Sequence, residues 1–264
     1  MFAPERQHRI LTELGRLGRV EVVELARSLG VSEDTVRRDL KALAARGYLQ
    51  KTHGGAVALD PSRMAFHDRA GLKAEAKANI GAAAAQLVEP GQSVILDAGS
   101  TVLELARQLN VRPLTVLTNS LDIAAVFTAE PEVKLSLTGG DWDARARYLV
   151  GASALDTLSR RRADWAFLGA CAFHSRAGVT SVSDADAAVK RAMVQAAEKT
   201  VVLADSSKAE QIAPHLVAPF SRLYAVVTDE AYVARALEES GAHVLLAQSG
   251  SGRPDAEILM SSAP

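Results

Sequence analysis

Apolar positions divide the chain into two halves of different rhythm. Over the first 57 residues they recur at helical spacing. Ile10, Leu11, Leu14 and Leu17 mark a helix from about Pro4 to Leu17. Val22, Leu25, Ala26 and Leu29 mark a second, and Val36, Leu40 and Leu43, at i, i+4 and i+7, a third. Gly30 ends the second pattern, as glycine takes the left-handed backbone that closes a helix, and Gly47 ends the third. Ser32 is placed to cap the third helix, with Glu33 and Asp34 in a first turn where the dipole favours negative charge. Tyr48 to Val57 then reads as a short hairpin, with Gly54 and Gly55 permitting a tight turn.

Beyond residue 74 the pattern changes to short Val/Ile/Leu runs alternating with helical segments. An Ala-rich helix from about Ala74 to Val88 comes first. The strands expected are Ser93–Asp97, Leu114–Thr118, Val133–Thr138, Trp165–Leu168, Val201–Asp205, Leu223–Thr228 and His243–Ala247. Helices are expected at Val102–Leu109, Leu121–Thr128, Ala152–Leu158, Asp184–Glu198 and Glu230–Ser240. Strands apolar on both faces, alternating with helices, belong to an open, doubly wound α/β sheet. The division expected is a winged helix-turn-helix over residues 1–57, a linker over 58–74, an α/β domain over 75–247 and a loose Ser/Gly-rich tail over 248–264.

Charge refines this division. The net charge is only −1, but residues 1–57 hold 10 Lys+Arg against 7 Asp+Glu, and the remainder 20 against 24. The basic excess of +3 therefore lies in the helical N-terminal unit, where a nucleic-acid partner would bind. The excess is modest, so sequence-specific DNA binding calls for two or more copies of the unit. One cysteine, Cys171, excludes an internal disulfide; within its apolar run it reads as a small buried hydrophobe. The six histidines lack metal-ligand spacing, so neither a metal nor another cofactor is expected. With no signal-like or membrane-length apolar run, a cytoplasmic protein without a membrane partner is expected.

The third helix carries the chemistry of the N-terminal unit. Arg38 and Lys41 point nearly opposite its apolar stripe, flanked by Thr35 and Arg37. Such a face suits a helix lying in a major groove, where Arg grips guanine edges or pairs with phosphates. Ser32 at the helix start and Lys51 and His53 on the wing complete the DNA-binding set expected here. In the second half, small polar residues follow the strands. In open α/β sheets ligands bind outside the carboxyl ends of strands. Asp97, Gly99, Ser100 and Thr101 follow the first strand, and Thr101 to Glu104 has the form of a capping box; a loop opening onto a helix start offers N–H groups to a phosphate. Thr118, Asn119 and Ser120 follow the second strand, Gly139 and Gly140 the third, and Lys208 closes Asp205-Ser206-Ser207-Lys208 after a later one.

These residues resemble the DeoR family of bacterial transcriptional regulators. The N-terminal matches are Glu24-Leu25-Ala26, Val31-Ser32, Thr35 to Leu40, Leu43, Gly47 and His53 to Ala56. The later ones are Asp97 to Thr101, Thr118 to Ser120, Gly139-Gly140, Asp164 to Gly169, Val189 to Met193 and Asp205 to Lys208. The resemblance spans about residues 5 to 230. It implies a winged helix-turn-helix whose second helix reads DNA, and an α/β domain related to ribose-5-phosphate isomerase that takes a phosphorylated sugar or similar metabolite as effector. It also adds Asp164 to the effector residues. The family has a Glu in the loop before the Lys190 helix, where this chain has Ser183-Asp184-Ala185-Asp186.

Two functions compete. One is a DNA-binding transcriptional regulator of carbohydrate-metabolism genes, a repressor, acting as a dimer or tetramer on double-stranded operator DNA. The other is a sugar-phosphate isomerase, with Asp97, Asp164 and Lys208 in acid, base and electrophilic roles. An isomerase has no use for a recognition helix, so the regulator is the reading adopted.

Overall fold

The computed structural model describes residues 2–45, 48–58 and 71–247. Gly47, the linker residues 59–70 and the tail 248–264 lie outside them. The chain divides into two compact units.

The first unit contains α1 (Ala3–Leu17), β1 (Arg19–Glu21), α2 (Val22–Leu29), α3 (Glu33–Ala45), β2 (Leu49–Lys51) and β3 (Gly55–Ala58). The apolar stripes anticipated from spacing converge: Ile10, Leu14, Leu25, Val36, Leu40 and Leu43 are all buried in one cluster. Each such side chain stabilises the unit by about 1.5–3 kcal/mol relative to exposure. α2 stops at Gly30 (φ 65°), whose N–H donates to Ala26 O, and the chain turns directly into α3. β2 and β3 pair antiparallel as the wing, Lys51 opposite Ala56. β1, three residues between two helices, escaped the sequence reading; it pairs with β3 so closely that a Cβ at Gly55 would lie 1.9 Å from the Val20 carbonyl oxygen.

The second unit holds a seven-stranded sheet ordered β15-β14-β12-β9-β4-β5-β6, with every neighbouring pair parallel. The strands are β4 (Ser93–Leu96), β5 (Leu114–Thr118), β6 (Val133–Leu137), β9 (Ala163–Gly169), β12 (Ala197–Leu203), β14 (Ala225–Thr228) and β15 (Val244–Leu246). These are the seven strands expected from the apolar runs. Helices α4 (Ala74–Ala85), α5 (Ser100–Gln108), α6 (Leu121–Phe127), α7 (Ala152–Ser159), α8 (Asp184–Ala196) and α9 (Ala231–Glu239) supply the alternation. Successive strand residues enter different cores: Leu96 and Phe167 belong to one cluster, Ile95 and Leu168 to the other, so both sheet faces are covered. The order runs outward through β5 and β6 on one side of β4 and through β12, β14 and β15 beyond β9 on the other. The switch point therefore lies between β4 and β9, and a ligand crevice is expected outside their carboxyl ends.

Two additions were not foreseen. A hairpin, β7 (Asp141–Asp143) with β8 (Tyr148–Val150), follows β6. A small antiparallel sheet joins β10 (Ala172–His174), β11 (Gly178–Ser181) and β13 (His215–Ala218). Among the described residues no helix is long and apolar enough to cross a membrane.

Candidate functional site

α3 presents the face that its spacing predicts. Val36, Leu40 and Leu43 are buried, while Ser32, Arg37, Arg38 and Lys41 are exposed and Thr35 is half-buried. Ser32 caps the helix: its Oγ accepts from Thr35 N at 3.2 Å and lies 2.9 Å from Thr35 Oγ1. Each arginine is paired with an acid one turn earlier, Arg37 with Glu33 at 2.6 Å and Arg38 with Asp34 at 2.9 Å. Lys51 and His53 are exposed on the wing. The exposed basic groups thus lie on the helix and wing of one small unit.

The second site lies along the carboxyl edge of the sheet. Asp97, after β4, is fully buried, and its Oδ2 accepts from Gly169 N at 2.9 Å, bridging the switch point. The same oxygen pairs with Lys190 on α8, also buried. Lys190 further lies 3.5 Å from Asp186, whose Oδ2 accepts from Ser181 Oγ at 2.7 Å. Cys171 is half-buried at the edge of this cluster, 3.7 Å from Ser181 Oγ, so it faces polar groups rather than the apolar surroundings expected. Asp97 Oδ1 is buried without a hydrogen-bond partner. An oxygen left so is costly, by about 1–3 kcal/mol or more for a charged group.

Burial pushes the Asp97 carboxyl up to about 6, with Asp186 adding to the rise, even though Lys190 and the Gly169 N–H favour its ionised form. Burial alone would lower Lys190, but Asp186 and Asp97 outweigh it and hold the ammonium above its ordinary value. Sequence reasoning left Lys190 and Asp186 out of the site. The signal available was the match at Val189 to Met193; Asp186 fills the buried acidic position one turn before the lysine.

The remaining expected residues divide by role. Gly99 takes φ 155°, a backbone that side chains rarely adopt, and serves as the N-cap of α5 without a side-chain cap. The helix thus begins at Ser100, and Thr101 lies buried in its first turn rather than capping it as the capping-box pattern implied; Glu104 bonds Arg107 instead. Uncapped first-turn N–H groups and the helix dipole favour an anion there. Thr118, Asn119 and Ser120 are buried and bonded within the protein. Thr118 Oγ1 donates to Leu96 O at 2.6 Å, Asn119 Oδ1 accepts from Ala98 N at 2.8 Å, and Ser120 Oγ accepts from Ile123 N at 3.3 Å. They brace the edge. Gly139 and Gly140 are exposed, and only Gly140 is confined, since a Cβ there would meet Val150 O at 2.2 Å. Lys208 is buried at the end of a 3-10 turn after β12.

Asp164 does not join them. It lies near the start of β9, where its Oδ2 accepts from Ser93 N at 2.7 Å and Ser93 Oγ at 2.6 Å. Those bonds hold its carboxyl below the ordinary value. Five residues at ~3.3 Å each put it roughly 16 Å along the strand from the carboxyl edge. The motif containing Asp164 begins at the amino end of the strand and only its final Gly169 reaches the site.

Known proteins agree with both halves of this picture. Residues 6–62 match the DeoR-like helix-turn-helix domain and residues 72–230 the DeoR C terminal sensor domain. The HTH-type transcriptional repressor GlcR of Bacillus subtilis (strain 168) is 32% identical over 259 residues, 96% of this chain and 100% of its own length. The HTH-type transcriptional regulator GolR of Listeria innocua is 34% identical over 87% of this chain and 91% of its own. Ribose 5-phosphate isomerase A of Methanocaldococcus jannaschii aligns over 50% of this chain and 53% of its own, with 19% identity and a TM-score of 0.37. Nothing about chemistry follows from an alignment at that level.

Proposed function

The chain belongs to the DeoR family of transcriptional regulators, and from that premise we propose that it represses carbohydrate-metabolism genes and leaves its operator when a phosphorylated sugar binds. It is a DNA-binding regulator and not an enzyme; the relatives named above are regulators, which leaves the isomerase alternative without support. One observation carries the DNA half of the reading: α3 turns an exposed Arg37, Arg38 and Lys41 outward from the three-helix core.

On DNA, α3 enters the major groove with Ser32, Thr35, Arg37, Arg38 and Lys41 toward it, and Lys51 and His53 of the wing meet phosphate. The exposed pairs to Glu33 and Asp34 are worth only about 0.3–0.5 kcal/mol. Hydrogen bonds to charged groups reach about 1.5–3 kcal/mol, so guanine edges or phosphates displace the acids. In the second unit the phosphate of the effector meets the Gly99-Ser100-Thr101 turn, with Lys208 and the exposed Gly139-Gly140 backbone following other strands along the same carboxyl edge. Its hydroxylated end faces Asp97 and Lys190. Thr118, Asn119 and Ser120 hold the loops in place. The protein works in the cytoplasm as a dimer or tetramer, a dimer presenting its two recognition helices about 34–36 Å apart.

The test is fluorescence anisotropy on DNA from upstream of its own gene, at two salt concentrations and with a panel of sugar phosphates. Tight, sequence-dependent binding released by a sugar phosphate is expected. Binding that is only non-specific and salt-sensitive would overturn the reading. Arg38→Ala is expected to cost about 1–3 kcal/mol and to relax specificity at one base position. An equal loss on every DNA sequence would make Arg38 a phosphate contact, and no loss would remove α3 from the groove.

A further inference from the structure

The β7–β8 hairpin is built as a cover, not as a loose connection. Its turn is tied by Asp143, whose Oδ1 accepts from Arg145 N at 2.9 Å and Ala146 N at 2.8 Å. Arg147 takes a left-handed backbone, φ 62°, and its guanidinium grips both Asp122 oxygens, at 2.7 and 2.6 Å. Asp122 lies in the first turn of α6, directly after the Thr118-Asn119-Ser120 brace. Two residues after Arg147, Leu149 N donates to Asn119 O at 2.7 Å. The hairpin is thereby clamped across the carboxyl end of β5, beside the switch point.

Tyr148 lies between those two clamps. It is half-buried where β8 packs against α8, on the side of Ser183, Asp186 and Lys190. Ser183 is the N-cap of α8, the helix that carries both of those residues. The hairpin thus packs beside the helix that carries Asp186 and Lys190, next to the buried group in which Asp97 Oδ1 lacks a donor. Two carboxylates around one ammonium leave that group with excess negative charge and acceptor capacity. A phosphate is repelled there, whereas a hydroxyl satisfies it.

We infer that the β7–β8 hairpin is a lid on the effector site, latched by Arg147 and Asp122, and that Tyr148 on the lid selects the hydroxylated end of the effector together with Asp97, Asp186 and Lys190. The inference rests on the effector reading above and adds to it a division of labour. The phosphate is held at the Gly99–Thr101 turn, and sugar hydroxyls are read at the charged cluster beneath the lid. Burial raises the Tyr148 phenol above its ordinary value, so it remains a protonated donor at neutral pH.

The chain supplies its own probe. Of its two tryptophans, Trp142 is on the hairpin and 37% exposed, near the Arg147 guanidinium at 5.6 Å, while Trp165 is 5% exposed in the core. Acrylamide quenching therefore reports chiefly the lid. Wild type and two variants, Tyr148→Phe and Asp122→Asn, are compared by quenching and by calorimetric titration. The titrants are D-glucose 6-phosphate, D-fructose 6-phosphate, D-ribose 5-phosphate and inorganic phosphate. The expected result has three parts. The best-bound sugar phosphate reduces Trp142 quenching in wild type. Tyr148→Phe weakens that sugar phosphate at least ten-fold while changing inorganic phosphate less than two-fold. Asp122→Asn raises quenching about two-fold without ligand. If a sugar phosphate binds but Tyr148→Phe leaves its affinity unchanged, or weakens inorganic phosphate equally, the lid inference fails and the effector reading stands. If no sugar phosphate binds wild type, the effector reading fails and takes the inference with it.

Discussion

Asp97 shows how one residue ties fold stability to function. It lies under the switch point, fully buried, with Lys190 on one oxygen and nothing on the other. Its ordinary value lies near 4, and burial raises it to about 6 in the folded protein. A carboxyl raised on folding reverses the usual acidic case. Between about pH 4 and 6 the native state binds more protons than the unfolded chain, so the contribution of Asp97 to stability is greatest at low pH. It is lost as pH rises through 6. Asp97→Asn removes this term while keeping the side-chain shape. Relative to wild type, the variant should therefore gain stability as pH increases from 4.5 to 7.5, read from urea midpoints at each pH. A gap independent of pH would mean that Asp97 titrates in the folded protein as it does in the unfolded chain. The ionised form destabilises the folded protein, and on the effector reading proposed above it supplies the acceptor for a sugar hydroxyl, so the residue would work against stability and for binding.

Among the elements, α1 and α3 are joined by more than apolar packing. Arg6 directs Nε and Nη2 at the two oxygens of Asp39, and Gln7 Nε2 adds a bond at 3.1 Å; Asp39 is buried on the inner side of the recognition helix. Asp39→Ala removes two hydrogen bonds from the partly buried Arg6 guanidinium and one from Gln7, a loss of about 1–3 kcal/mol. The thermal transition of the helical unit should fall by several degrees, and Asp39→Asn should recover part of the loss. A transition unmoved by Asp39→Ala would show that the stripe of Ile10, Leu14, Leu40 and Leu43 orients α3 unaided. The stripe was legible from spacing, because a 3.6-residue period has few alternatives, and so were all seven parallel strands, which must be apolar on both faces. The Arg6–Asp39 tie was not, since it joins residues 33 apart that share no local pattern. Nor were β1, the lid hairpin or the small antiparallel sheet, where polar residues interrupt strands such as Arg19–Glu21, Asp141–Asp143 and Ala172–His174 and leave no continuous apolar run to mark them. The strand-edge loops were recognisable because small polar residues end apolar runs. Asp164 misled for the complementary reason: composition does not say which end of its strand a residue occupies.

At the scale of the molecule, one chain carries a basic DNA-facing unit, net +3 over residues 1–57, and an acidic α/β unit, net −4 over the rest. Affinity for phosphate backbone grows with the number of basic contacts, so +3 per copy favours an assembly that sums two or more units on one operator. Release by an effector then requires two states of that assembly that differ in affinity for both ligands. Linkage makes the effect reciprocal: the factor by which a saturating sugar phosphate weakens operator binding equals the factor by which operator weakens sugar-phosphate binding, typically 5–150-fold. Both factors can be measured on one preparation, by anisotropy of labelled operator and by titration of the sugar phosphate with and without saturating operator. Equal factors are expected at each salt concentration, although the operator affinity itself falls steeply as salt rises. Unequal factors would mean that the species binding the effector is not the one leaving the DNA. In that case subunit dissociation would join the cycle as a third equilibrium, and the unequal factors would change with protein concentration.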